Sequence, residues 1–386
     1  MEQVQGVNST ESVERGKGGP SSLTPASLSE IEFQVEASQP VSALMQKSSP
    51  YPPFICFKDS KSYLSTLSGQ GMTLVSDSKE VYSRRPQGSM HHATEVVLLR
   101  GVYFVLDAPK KRILMKIGTV FDPSVFYRSN DIQSTVDWHQ QLKAFPCGKA
   151  LAVKINQKKM RVIEADEKMN QCRKLDIELD EVDGEKSRLQ GFETLDDNHL
   201  VCITEKGDLV VLKVDLDGFG GFEEVGRCPL NPIHEEGRDE NSFGVSVCPK
   251  EKYCLVFVYD YCSYGRASRM FVCQLKDHDN PSKGYNPVVS CSVDLWEYEL
   301  HNAYNACFGR YFGKAVVGCG YSYDKTGLFT FLFVEGGKGT EPRLEVGFQP
   351  QEGSKKRTYS LARVGETVCG ALTGGYLLRI SFSLKG

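Results

Sequence analysis

The chain has 386 residues, 40% hydrophobic and 25% charged, with a formal net charge of -3. That supplies enough apolar material for one large core or two ordinary ones, and it gives no bulk attraction to nucleic acid or anionic lipid, so composition suggests neither, and nucleic acid is not expected as a partner. No run approaches the roughly 20 apolar residues of a membrane-spanning helix, and the amino terminus lacks the basic start and apolar block of a secretory signal.

The sequence has thirteen cysteines. Several sit inside apolar runs (Cys202, Cys254, Cys273, Cys319, Cys369), and no Cys-x-x-Cys pair occurs. Such thiols pack as small buried hydrophobes, and an odd count without a signal peptide points to an intracellular, cytoplasmic and reducing home.

Residues 1–50 form a low-complexity zone rich in Ser, Gly, Glu and Gln, with Phe33 as its single aromatic. Such a segment buries too little to offset chain entropy, so most of it is expected to be disordered. One stretch stands apart. In "SEIEFQVEA", residues 29–37, Ile31, Phe33 and Val35 alternate with Glu30, Glu32, Gln34 and Glu36. That is the template of a one-sided strand, either docked at an edge within this chain or added to a partner's sheet. Ser9, Ser12, Ser21, Ser22, Ser27 and Ser29 offer hydroxyls for phosphorylation in the same zone.

From residue 54 onward a two-strand unit recurs. After a shorter candidate at 71–83 come units at 102–117, 150–165, 193–215, 253–275, 313–334 and 366–384, the last six lying roughly 48 to 60 residues apart from turn to turn. Leu200-Val201-Cys202-Ile203 and Leu209-Val210-Val211-Leu212 are apolar on both faces. A surface hairpin would alternate, so these strands need cover on two sides. Segments before the hairpins ("LQGFETL", "FGVSV", "YNACFGRYF", "TYSLARV") suit first strands, and those after them ("FEEVGRCPL", "VVSCSVDLW") suit outer strands. A repeat of about four strands per unit with little helical periodicity predicts an all-β propeller over residues 54–386. Residues 54–100 hold material for one more unit, which makes seven blades the expectation and six plus an irregular extension the alternative. The chain ends on the apolar "LLRISFSL", so ring closure is expected to pair amino-terminal strand material with the last blade and remove an exposed edge.

In layout the chain resembles the β-propeller superfamily, with a WD-repeat-like arrangement. The WD-repeat signatures are missing: no Gly-His pair is present, Asp137-Trp138 stands in reversed order, and the remaining tryptophan is Trp296. No specific family follows, and no functional residue carries over.

The chemistry-bearing motifs are sparse. "FGVSVC" lacks the second glycine of a nucleophile elbow. "GFGGFEEV" has no lysine or helix behind it for phosphate and reads as a wide turn. Asp215, Asp217, Glu223 and Glu224 fall short of a calcium loop and read as a solvated acidic turn. The seven histidines are scattered, so no zinc site, and no other metal or cofactor, is implied. Basic clusters stand at three turns, namely Lys110, Lys111 and Arg112, then Lys158 and Lys159, then Lys355, Lys356 and Arg357. On one rim they would make a patch for an anionic ligand, and a phosphate- or phospholipid-binding propeller using these turns is one alternative function. The other alternative, a hydrolase or lyase working at the axial channel, would draw on Asp137, His139, Asp197, His199 or His301. Lacking a catalytic constellation, the sequence favours a non-catalytic scaffold for one or more proteins.

Overall fold

The structure, a computed structural model, describes residues 24–37, 54–59, 62–67, 71–76, 79–84, 93–107, 113–117, 124–128, 142–180, 187–230, 241–248, 252–260, 269–277, 284–300, 303–322, 327–337, 339–349, 358–372 and 376–385. These contain strands and two short 3-10 turns, Leu28–Glu30 and Leu295–Tyr298. No helix among them is long and apolar enough to cross a membrane. Residues 1–23 and 38–50 of the low-complexity zone lie outside the described residues.

Strand β1 (Ile31–Ala37) comes first in the chain but belongs to the last blade. Blade 1 is β2 (Phe54–Phe57), β3 (Tyr63–Leu67), β4 (Gly71–Ser76) and β5 (Lys79–Arg84); blade 2 is β6 (Ala93–Leu99), β7 (Val102–Asp107), β8 (Ile113–Ile117) and β9 (Ser124–Arg128). Blade 3 follows with β10 (Leu142–Ala144), β11 (Ala150–Lys154), β12 (Lys159–Ala165) and β13 (Gln171–Glu178), and blade 4 with β14 (Leu189–Thr194), β15 (His199–Thr204), β16 (Asp208–Val214) and β17 (Phe222–Pro229). Blade 5 is β18 (Asn241–Cys248), β19 (Tyr253–Asp260), β20 (Arg269–Asp277) and β21 (Tyr285–Asp294); blade 6 is β22 (Ala303–Phe312), β23 (Ala315–Ser322), β24 (Gly327–Val334) and β25 (Arg343–Gln349). Blade 7 takes β26 (Thr358–Val364), β27 (Thr367–Leu372) and β28 (Tyr376–Leu384), then β1 as its fourth strand.

First strands meet first strands all the way round: β2 lies against β6, β6 against β10, then β14, β18, β22, β26 and back to β2. The result is a closed ring of seven antiparallel sheets, a seven-bladed β-propeller. The alternative of six blades is thereby corrected. So is the phasing of the first: the 71–83 hairpin is the third and fourth strands of blade 1, and the segment "TEVVLL" opens blade 2.

The double-sided strands now have their cover. Leu200, Cys202, Val210 and Leu212 pack with Ala152, Met160, Val162 and Ile177 of blade 3. Their neighbours Val201, Ile203, Leu209 and Val211 pack with Cys254, Val256, Phe271 and Cys273 of blade 5. Alternate residues of one strand thus fill two interblade cores, each side chain contributing about 1.5 to 3 kcal/mol of burial. Equivalent cores fill the joints between blades 1 and 2, 2 and 3, 5 and 6, and 6 and 7. In the blade 5 to 6 core, Gly318 and Gly320 stand directly opposite Phe331 and Phe329, and the missing Cβ atoms leave room for both rings.

β1 closes the ring by pairing antiparallel with β28, from Ile31 opposite Leu384 to Ala37 opposite Leu378. Ile31 is buried, Phe33 packs on Phe382, and Val35 stays 41% exposed. Of the two alternatives for this segment, one edge of β1 is paired with the chain's own last strand, β28.

Candidate functional site

Because each blade is antiparallel, the turns joining first to second and third to fourth strands emerge on one face. On that face the blades are clasped in a repeated way. Arg100, in the first turn of blade 2, reaches the Asp166 carbonyl in the last turn of blade 3 at 3.4 Å. Lys149 of blade 3 pairs with Asp217 of blade 4 at 2.6 Å. Asp196 of blade 4 accepts from the Tyr285 hydroxyl of blade 5 at 2.9 Å, and Tyr253 of blade 5 bonds Glu335 of blade 6.

The blade 4 to 5 clasp contains His199. Its Nδ1 lies 2.8 and 3.0 Å from the two Asp196 carboxylate oxygens. Asp196 also accepts the backbone N–H groups of Asn198 at 3.0 Å and His199 at 2.9 Å. Burial alone would raise this carboxyl, but hydrogen bonds from His199, Asn198 and Tyr285 outweigh it and bring the pKa down to about 2. Among the described residues the buried Nε2 of His199 has no hydrogen-bond partner, and it faces the backbone of Gly284, where a Cβ would come within 2.5 Å. An imidazole held by a carboxylate on Nδ1 has the orientation of a general base, but here Nε2 meets backbone instead of an open cavity. Asp197 is exposed in the adjacent turn. Of the five channel candidates, Asp137, His139 and His301 lie outside the described residues.

The innermost strands carry a second constellation. Lys143 on β10 lies 3.2 Å from Glu95 on β6 and 3.0 Å from Glu193 on β14, and Glu95 also accepts the Leu142 backbone N–H at 2.6 Å. The three side chains are 14 to 22% exposed. Burial opposes the charge on Lys143, yet the two flanking carboxylates hold its pKa above the ordinary lysine value. The carboxylates thus favour the charged, ion-paired form of the amine over a free one. Cys56 on β2 sits in the field of the same groups, and its thiol is pushed up to about 12, chiefly by burial. The sequence offered one signal for this set: Glu95, Lys143 and Glu193 each interrupt the first strand of a blade.

An open groove of about 900 Å³ lies on the clasped face between blades 3 and 4. Its walls include Cys147, Lys149, Asp197, Lys213, Asp217 and Phe222, and Phe222 is 39% exposed. The glycine-rich turn of blade 4 forms one side. Asp215 organises that turn by accepting backbone N–H groups from Asp217, Gly218 and Gly220 at 3.2, 2.8 and 3.2 Å, which lowers its pKa. The turn therefore ties its own acidic side chain to its backbone, and no cluster fit for a metal ion occurs among the described residues. Arg173 anchors the turn from blade 3, donating to the Gly218 carbonyl at 3.0 Å and lying 4.8 Å from the Phe219 ring centroid.

Of the eight basic residues expected to share a rim, the structure describes Lys158 and Lys159. Lys158 is exposed, while Lys159 pairs with Asp176 at 3.6 Å and Glu178 at 3.2 Å. Lys110, Lys111, Arg112, Lys355, Lys356 and Arg357 lie outside the described residues.

Comparison with known proteins decides the architecture. Virginiamycin B lyase from Staphylococcus aureus superposes with a TM-score of 0.58 at 9% identity, over 91% of this chain and 99% of that one; the structure compared is a catalytically inactive variant with quinupristin. The β-propeller domain of Nup133 from Vanderwaltozyma polyspora gives 0.55 at 8% identity, over 84% and 91%. The chain is a β-propeller protein. No family model matches it, and no curated protein does. At such identities the likeness carries the fold and no activity.

Proposed function

We propose that this propeller is a non-catalytic scaffold for protein interaction, with the clasped face as its recognition surface. The observation that carries this reading is the use of the ionisable groups. Lys143, Glu95 and Glu193 join three inner strands, and His199 and Asp196 join blades 4 and 5. Groups that an enzyme would keep free are bound as joints, and joints of this kind make a rigid support for turns that differ from blade to blade. The groove between blades 3 and 4, with Phe222 on its rim, is the surface best shaped for a partner's side chains.

The competing reading is an enzyme, and its support is the Asp196–His199 pair, whose Nε2 has no hydrogen-bond partner among the described residues. Cross-linking of full-length protein in native extract, followed by mass spectrometry, separates the two. Scaffold function predicts stoichiometric partners cross-linked to the turns at 146–149 and 215–221, with Phe222→Glu reducing their yield at least about tenfold if that ring is an interface anchor. Partners retained by Phe222→Glu, with no cross-link on the clasped face, would overturn it. Loss of a turnover on His199→Gln in a folded variant would favour the enzyme.

A further inference from the structure

The clasp between blades 6 and 7 differs from the others because blade 7 has no continuous turn before its fourth strand. The segment Thr24–Glu30, leading into β1, takes that turn's place. Lys314, in the first turn of blade 6, donates its backbone N–H to Thr24 Oγ1 at 3.3 Å, so the pattern of the other joints is kept with an amino-terminal segment as the second partner. This segment also grips the outer strand of blade 6. Ser27 donates its hydroxyl to Glu345 Oε1 at 3.2 Å, and the Leu28 backbone N–H reaches Glu345 Oε2 at 3.0 Å. Leu28 packs into the core between blades 6 and 7. Ser29 is exposed, and its hydroxyl and backbone N–H both donate to Ser27 Oγ.

We propose that Ser27 is a phosphorylation site whose modification unfastens this strap. The Ser27 hydroxyl touches a carboxylate, so a phosphate there would replace a donor with a group of about -1.5 to -2 charge and acceptors only. It would lose the bond to Glu345 and meet repulsion from Glu345 and from Glu30, three residues on. The same Glu30 gives Ser27 the acidic +3 context that suits a kinase with a basic substrate groove. A kinase needs the segment extended in its own cleft, so it acts on the strap in its released state. A segment held along one edge of the ring opens at lower free-energy cost than the middle strands, and phosphate then holds this one open. In the transfer, the Ser27 Oγ–phosphorus bond forms and the bond from the γ-phosphorus of ATP to its β,γ-bridging oxygen breaks. ADP leaves with the electron pair, and the hydroxyl proton passes to the kinase's base. Release exposes the outer edge of β28 and one side of the blade 6 to 7 core, which includes Phe382.

The test uses full-length protein and limited proteolysis within residues 24–37. Ser27→Asp is expected to speed cleavage there by roughly tenfold, the factor for about 1.4 kcal/mol of lost closure. Ser27→Ala and Ser29→Asp are expected to change it less than about threefold, and Ser27→Asp with Glu345→Lys to return it near wild type. Treatment of wild type with an acid-directed kinase and ATP should place phosphate on Ser27 and reproduce the Ser27→Asp cleavage. Should Ser27→Asp fail to fold, recovery of folding by Glu345→Lys supports the clasp as well. Unchanged cleavage in Ser27→Asp, an effect that Glu345→Lys does not relieve, or kinase treatment that leaves Ser27 unmodified would overturn the proposal.

Discussion

Strands β15 and β1 occupy opposite ends of the range that a propeller strand can have. Every residue of β15, His199 to Thr204, is buried, because blade 3 covers one side and blade 5 the other. β1 is a fourth strand at the rim, held along one edge by β28, with Ile31 buried and Glu32, Gln34, Val35 and Glu36 exposed. The difference teaches that position in the blade sets the pattern of a strand in this fold, and that the ring is held from the middle strands while its seam is closed from a weaker one.

The contrast has measurable consequences. The largest is expected in β15: Ile203→Ala should cost about 2 to 5 kcal/mol in denaturant unfolding, through lost burial and the cavity left behind. Next comes the inner belt. Lys143→Met strands two partly buried carboxylates and should cost about 3 kcal/mol, whereas neutralising all three charges together should recover most of that loss. In β23, Gly318→Ala drives a Cβ into the space of Phe331 and should cost about 1 to 3 kcal/mol by the same assay. At the seam, Val35→Ala should stay within about 0.5 kcal/mol. An Ile203→Ala effect no larger than that of Val35→Ala would remove the distinction between the two strands.

Acid titration sharpens the picture at the blade 4 to 5 clasp. The Asp196 pKa is depressed to about 2 in the fold, below the unfolded carboxyl value of about 3.9. Its contribution is therefore complete above the unfolded value and fades as pH falls through the folded one. The stability gap between wild type and Asp196→Asn should be constant near neutrality and narrow from about pH 4 downward. A gap that does not narrow there would show that the carboxylate is not held by its neighbours.

Much of the ring was legible in the sequence, for a reason that β15 illustrates. Where both faces of a strand are apolar, no surface hairpin fits, and a repeat of such hairpins requires stacked sheets. Pairing of the 31–37 strand within the ring was legible too, because Ile31, Phe33 and Val35 alternate and the apolar run "LLRISFSL" needs a neighbour. Blade 1 was mis-phased because Tyr63–Leu67, its second strand, lacks a long apolar run, while Gly71–Arg84 mimics the middle hairpin of the other blades.

The candidate site was far less visible. Glu95, Lys143 and Glu193 lie on three different blades, and nothing in the linear sequence joins them until the first strands stand side by side. Asp196, rather than the exposed Asp197, holds His199, and the choice between two adjacent aspartates depends on the turn geometry that points one inward. Two of the clasps use a backbone group, the Asp166 carbonyl and the Lys314 N–H, and those leave no trace in composition.

The measurement that bears most directly on the account is a denaturant-unfolding comparison of wild type, Lys143→Met and the triple variant Glu95→Gln, Lys143→Met, Glu193→Gln. If these inner charges are joints of a scaffold, Lys143→Met is clearly less stable than wild type and the triple variant recovers most of the loss. If Lys143→Met is as stable as wild type or more so, the charges are held at a cost in stability, as functional groups are, and the reading of the ring as a non-catalytic scaffold is contradicted.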